Sequence, residues 1–185
     1  MNYTDDVATE SEGIPLIFFY SGSPLPKYWK PSLAIALEHW NGEVVLITDS
    51  VVKRPISGVR VVNFSDWYRP DDFLKFLQRS PLDSSFRNGF WVKAVQRFYV
   101  LEQFARKEGL TRFAHAELDN AIFASQSTIS QLDRWGIGLF VPQVSSSHAI
   151  ASFIYVNSLK ALKEFNLFLI SHSALGNEMT ILGKF

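Results

Sequence analysis

The chain has no cysteine. Disulfides and thiolate metal sites are therefore excluded, and a reducing, cytoplasmic compartment fits. It also lacks net charge: 18 Lys and Arg balance 18 Asp and Glu, the pI is near 6.9, and the basic residues are dispersed. Nucleic-acid binders carry a basic excess or a dense basic stripe, so no nucleic-acid partner is expected. Long apolar runs are missing too. The longest, Ile14 to Tyr20 and Gly136 to Val141, are strand-length, whereas a spanning helix needs about 20 residues, and no transmembrane segment is expected. The first dozen residues, MNYTDDVATESE, are acidic and polar, the reverse of a signal peptide, and read with Gly13 as a flexible tail over 1–13. Also absent are the G-x-x-x-x-G-K-[ST] loop, the G-x-G-x-x-G fingerprint, the G-x-S-x-G elbow and H-E-x-x-H.

What is present is a globular composition in 185 residues, 47% hydrophobic and 19% charged, enough for one domain over 14–185 with a substantial core. Apolar strand signals alternate with helical ones. Ile14 to Tyr20 and Glu43 to Asp49 read as buried strands, and Val59 to Phe64 as a short third. Between the first two, Pro31 opens a helix bearing Leu33, Ala34, Ile35, Leu37 and Trp40, which Asn41-Gly42 stops. Asp71 to Gln78 predicts a short helix, and Phe90 to Glu108, closed by Gly109, predicts the longest. A strand over Thr111 to Glu117 follows, then a helix over Ser127 to Arg134. Strands over Gly138 to Pro142 and Ala151 to Val156 come next, then a helix over Ser158 to Phe165. This order predicts an α/β fold, a mostly parallel sheet with helices on both faces. Ligands of such sheets gather beyond the carboxyl ends of the strands, where Asp49, Glu117 and Asp119 lie.

Glu117 and Asp119 are two acids spaced i, i+2 inside an apolar run, Arg112 to Phe123. In extended backbone they leave the same face. Two like charges there are costly unless a positive group sits between them, and a divalent cation is one such group. A solvated strand end is the other reading of an isolated E-x-D. In the long helix Lys93 and Arg97 are four apart and share a face. That face either meets the acids or a phosphate, or is simply exposed.

The Ser21-Gly22-Ser23-Pro24 loop after the first strand, Thr48-Asp49 ending the second, the Trp91-to-Arg97-Phe98 helix and then His115-Ala116-Glu117-Leu118-Asp119-Asn120 resemble GT-A-fold nucleotide-sugar glycosyltransferases. The likeness spans residues 14 to 123 and is nearest to the bacterial enzymes that build surface polysaccharides. The resemblance implies a GT-A-like (Rossmann-like) fold with part of the C-terminal acceptor region missing. It further implies transfer of a sugar from a UDP- or GDP-linked donor to a saccharide acceptor hydroxyl, assisted by Mn²⁺ or Mg²⁺. Glu117 and Asp119 stand where the family has its D-x-D metal motif, with Glu for the first Asp, and Asn120 offers an amide oxygen. His172 matches a late metal-binding histidine, and Glu178 a late acid that serves as general base. Tyr20, Ser21 and Asp49 match donor-site positions, and Lys93 and Arg97 would orient phosphates. Ser145 to Asn157 falls on the acceptor side. The family's cytoplasmic setting, peripheral at the inner membrane face, is implied with it. Two other readings stay open: a non-catalytic sugar- or protein-binding domain on the same scaffold, and a metal-dependent phosphohydrolase.

Overall fold

The computed structural model of the protein describes residues 13–185, so residues 1–12 of the expected tail lie outside the described residues. Its centre is a six-stranded sheet of order β3-β2-β1-β4-β8-β5. These strands are β1 (Leu16–Tyr20), β2 (Val44–Thr48), β3 (Val59–Asn63), β4 (Phe113–Glu117), β5 (Leu139–Phe140) and β8 (Phe153–Val156). β3, β2, β1 and β4 run parallel, with Phe18 opposite both Leu46 and Ala116. β8 pairs antiparallel with β4 and with β5. The mostly parallel sheet expected from the alternating pattern is present, with an antiparallel edge. A separate hairpin joins β6 (Gln143–Ser145) to β7 (His148–Ala149).

Both faces of the sheet are covered, which is why β1 and β2 read as unbroken apolar runs. Leu16, Phe18, Val44 and Leu46 pack on one face against Leu33 and Ala36 of α1 (Trp29–His39) and Trp40 just past its end. Ile17, Phe19, Val45 and Ile47 point the other way. They meet α2 (Asp71–Leu77), α3 (Phe90–Glu108), α5 (Leu159–Ser171) and α6 (Glu178–Leu182). α3 buries nearly every residue from Ala94 to Ala105, because the sheet lies on one side and α2, α5 and α6 lie around it. Asn166 of α5 ties it down: its amide donates to the Phe98 carbonyl (3.3 Å) and to Glu102 (3.0 Å).

Several boundaries differ from the sequence expectation, each for a local reason. The helix expected over 127–134 is two pieces, α4 (Gln126–Ser130) and a 3₁₀ turn over Gln131–Trp135. The strand expected over 138–142 shortens to β5, as Pro142 has no N–H to give a ladder. β8 begins at Phe153 because Ala151 and Ser152 form a turn. α5 runs past Phe165 to Ser171, started by the Ser158 hydroxyl accepting from the Ala161 N–H (3.2 Å). Among the described residues, no helix is long and apolar enough to cross a membrane.

Candidate functional site

At the carboxyl ends of β1 and β4, facing the first turns of α3, lies a cleft of about 220 Å³. Each wall is fixed by its own sequence. On the β1 side, Ser21 and Gly22 are held by Asp49: its carboxylate accepts from the Ser21 hydroxyl (3.1 Å) and from the Gly22 N–H (2.7 Å). Ser50 adds a bond to the Gly22 carbonyl. Gly22 has φ +127°, and a side chain there would meet the Lys93 ammonium at 3.2 Å. Only glycine combines that backbone with so close an approach.

On the β4 side, Glu117 is the last strand residue, and a turn closes behind it through the Asn120 N–H to the Glu117 carbonyl (3.0 Å). Asp119 therefore sits in a turn, not in extended backbone as the i, i+2 argument assumed. Leu118 between them is buried against the α1 face, and both acids line the cleft. Asn120 turns away from it. Its amide donates to the Ser152 carbonyl (2.6 Å), which also accepts from the Glu117 N–H (2.9 Å), so Asn120 clamps the turn to the β8 approach.

α3 supplies the positive charge. Lys93 and Arg97 both line the cleft, which decides between the two readings of that helix face. Arg97 is only 4% exposed, and its guanidinium joins two carboxylates. Nη1 donates to Glu117, and Nη2 donates to Glu178 at 3.3 Å. Glu178 opens α6, whose N-cap is the Asn177 side chain accepting from the Thr180 N–H (3.1 Å). It is buried beneath Arg97 and does not line the cleft. Burial pushes its carboxyl above the usual range, and the neighbouring Arg97 charge partly counters that. His115, two residues before Glu117 on the same face of β4, is wholly buried, and its Nδ1 meets the Ile17 carbonyl at 2.9 Å. A carbonyl only accepts, so Nδ1 carries the proton and Nε2 is a bare acceptor. Burial, followed by the charge of Arg97, pushes the His115 pKa down to about 3, so its ring is neutral.

Of the residues picked out from sequence, the cleft gathers Tyr20, Ser21, Lys93, Arg97, Glu117 and Asp119. Asp49 stands one step back, bracing the β1 loop. His172 is elsewhere: it stacks on Phe168 with ring centroids 3.7 Å apart at the end of α5. Among the described residues, no three acids or histidines come close enough to hold a metal on their own. The Ser145–Ser147 stretch forms the exposed turn of the β6–β7 hairpin, with His148 bonded to the Ser147 hydroxyl (2.9 Å).

Arg87, Tyr28 and Phe90 also line the cleft, and nothing in their sequence context marks them. Arg87 and Asn88 have φ of 45° and 57°, and Gly89 has 81°. This left-handed run swings Arg87 to the cleft mouth just before α3. The Asn88-Gly89 pair is a turn signal, but it does not say where the preceding side chain goes. Tyr28 stands near the acids, and its phenol is pushed up by burial first and then by the charge of Asp119.

No family model matches the sequence, and no curated protein matches it. Solved structures do. The apo crystal structure of mouse xyloside xylosyltransferase 1 aligns over 92% of this chain and 81% of its own, with TM-score 0.58 and 8% identity. PaToxG glycosyltransferase aligns over 93% of this chain and 69% of its own, with TM-score 0.56 and 13% identity. At such identities the likeness is one of fold. The chain has a GT-A-like glycosyltransferase fold, a six-stranded, mostly parallel central sheet with helices on both faces.

Proposed function

We propose that this chain is a glycosyltransferase that moves a sugar from a UDP- or GDP-linked donor to an acceptor hydroxyl, assisted by Mn²⁺ or Mg²⁺. One observation carries the reading: two acids, Glu117 and Asp119, and three cations, Arg87, Lys93 and Arg97, share one cleft at the strand ends of a glycosyltransferase-type sheet. A ligand that is anionic and brings a cation with it suits such a mixed lining, and a diphosphate with a divalent metal is of that kind.

The residues fit a metal that its substrate completes. The Asp119 carboxylate is exposed at the cleft, and Glu117 gives one oxygen to Arg97 while the other stays open. One or two carboxylates plus substrate phosphates are the usual holding set for Mg²⁺. The ion would supply Lewis-acid stabilisation of the departing diphosphate. In this reading Lys93, beside the Gly22 loop, and Arg87, at the mouth, grip phosphate oxygens. Arg97 holds Glu117 in place. Tyr28 and Phe90 add aromatic surface to the cleft lining. Glu178 is shielded from the cleft and receives no proton-transfer role. The finer reading, a saccharide acceptor in cytoplasmic synthesis of a bacterial surface polysaccharide, rests on the order of motifs alone.

A second reading has one observation in its favour. Arg97 already pairs with Glu117, so that acid is partly balanced by protein charge. A non-catalytic binding domain on this scaffold would show that arrangement. The test is thermal shift with UDP, GDP and their sugars, with and without Mn²⁺, followed by assay of sugar release from whichever donor binds. Mn²⁺-dependent stabilisation with release supports transfer. Stabilisation without release favours the binding domain, and no shift with any nucleotide rejects the proposed site.

A further inference from the structure

Three of the six buried polar side-chain atoms without a partner among the described residues belong to one cluster: Arg97 Nε, Glu178 Oε2 and His115 Nε2. Such atoms are few in folded proteins, and a concentration of them needs a reason. The Arg97–Glu178 pair is equally costly, since each side chain is 4% exposed. Apolar residues of similar volume often replace a buried ion pair with no loss of stability. Stability therefore does not account for an acid placed here.

Geometry does. Arg97 reaches from α3 on a stem with about 2 kcal/mol of rotamer entropy to lose. Its fork is gripped at both ends: Nη1 by the cleft acid on β4, and Nη2 by the buried acid on α6, 81 residues further along the chain. With only Glu117 as partner, the planar fork would be free to turn and take both oxygens of that carboxylate, the bidentate arrangement that guanidinium prefers. The open oxygen of Glu117 would then be lost to any incoming cation.

Resting on the glycosyltransferase reading of the cleft, we infer that Glu178 is a positioning residue, which pins the Arg97 guanidinium from below so that Glu117 keeps one carboxylate oxygen free for the metal–diphosphate ligand. α6 thus completes a donor site built otherwise by β1, β4 and α3, without lining it.

The test compares wild type, Glu178→Gln and Glu178→Met, each first checked for native near-UV circular dichroism. Gln keeps an oxygen to accept from Nη2, while Met keeps the shape and removes the acceptor. In the nucleotide-free protein, ¹⁵N spectra of the Arg97 guanidinium should show the same Nη shifts in wild type and Glu178→Gln, and a displaced set in Glu178→Met, where both nitrogens turn to Glu117. In calorimetry, Glu178→Met should weaken Mn²⁺-dependent UDP or GDP binding about tenfold or more. Glu178→Gln should stay within about threefold of wild type. In an Arg97→Met background, Glu178→Met should change binding no further, because the residue acts through Arg97. Nη signals in Glu178→Met that match wild type overturn the inference, as does an equal loss of affinity in both backgrounds. Absence of nucleotide binding in wild type instead overturns the functional reading, and the guanidinium spectra then decide the pinning by themselves.

Discussion

Arg97→Met removes the one cation shared by Glu117 and Glu178 while keeping most of the apolar stem in place. The two acids respond differently. Glu117 is 34% exposed at its side chain and can rehydrate, whereas Glu178 at 4% cannot. Breaking a buried pair by deleting one partner costs about 3–5 kcal/mol, because the remaining charge is left uncompensated. Glu178 can escape that cost by taking up a proton, and burial has already moved its carboxyl upward. A carboxyl raised in the folded state contributes stability below its ordinary pKa, and that stability is lost as pH rises through the raised value. With Arg97 gone, the one opposing charge goes too, and the raised value climbs further. The penalty should therefore be largest at pH 7. It should shrink on going to pH 5 by up to about 1.4 kcal/mol per unit, the free-energy equivalent of one pKa unit. Urea unfolding at the two pH values measures this, with Arg97→Met/Glu178→Met recovering most of the loss. A single variant within about 1 kcal/mol of wild type at pH 7, or a penalty equal at both pH values, would refute the buried-pair account.

Two further predictions probe the scaffold. Gly42→Ala would put a methyl 2.1 Å from the Ile14 carbonyl oxygen, which Trp40 Nε1 also bonds at 2.7 Å. The clash is with backbone, so a loss of about 3 kcal/mol or more is expected in urea unfolding, and a neutral result would mean that this strand-to-turn contact is loose. Asn166→Ala removes the amide that joins α5 to Phe98 and Glu102 of α3. It should cost about 1–3 kcal/mol by leaving buried acceptors short of a donor, and a cost below about 0.5 kcal/mol would contradict the bridge.

The sequence made the sheet legible because β1 and β2 are covered on both faces and so have no polar alternation to confuse their reading. Lys93 and Arg97 were legible as a pair by helical spacing, and the i, i+2 acids by strand spacing. The strand argument put both acids on one spot, and they do share a cleft, but through a different backbone, since burial of Leu118 in a turn keeps its neighbours together. Contacts between distant segments were not legible. Nothing near Glu178 signals a partner on α3, and a late acid at a helix start fits a base role as readily as a buried one. Arg87 reached the cleft through a run of three residues with positive φ, two of them not glycine, a backbone choice that composition does not announce. His172 shows the converse: an imidazole late in the chain invites a metal role, but local stacking on Phe168 takes it away from the acids.

The central claim is that Glu117 and Asp119 hold a metal–diphosphate ligand, and thermal unfolding of wild type and Asp119→Ala with UDP or GDP and Mn²⁺ tests it most directly. A ligand at one hundred times its Kd stabilises the native state by about 2.7 kcal/mol. For a chain of this size that is a rise of about 5–10 °C in Tm. The account predicts that rise in wild type only when Mn²⁺ is present. In Asp119→Ala it should disappear while the ligand-free Tm stays unchanged, since Asp119 is exposed. An equal rise in both proteins, or a rise in wild type that ignores Mn²⁺, would contradict it.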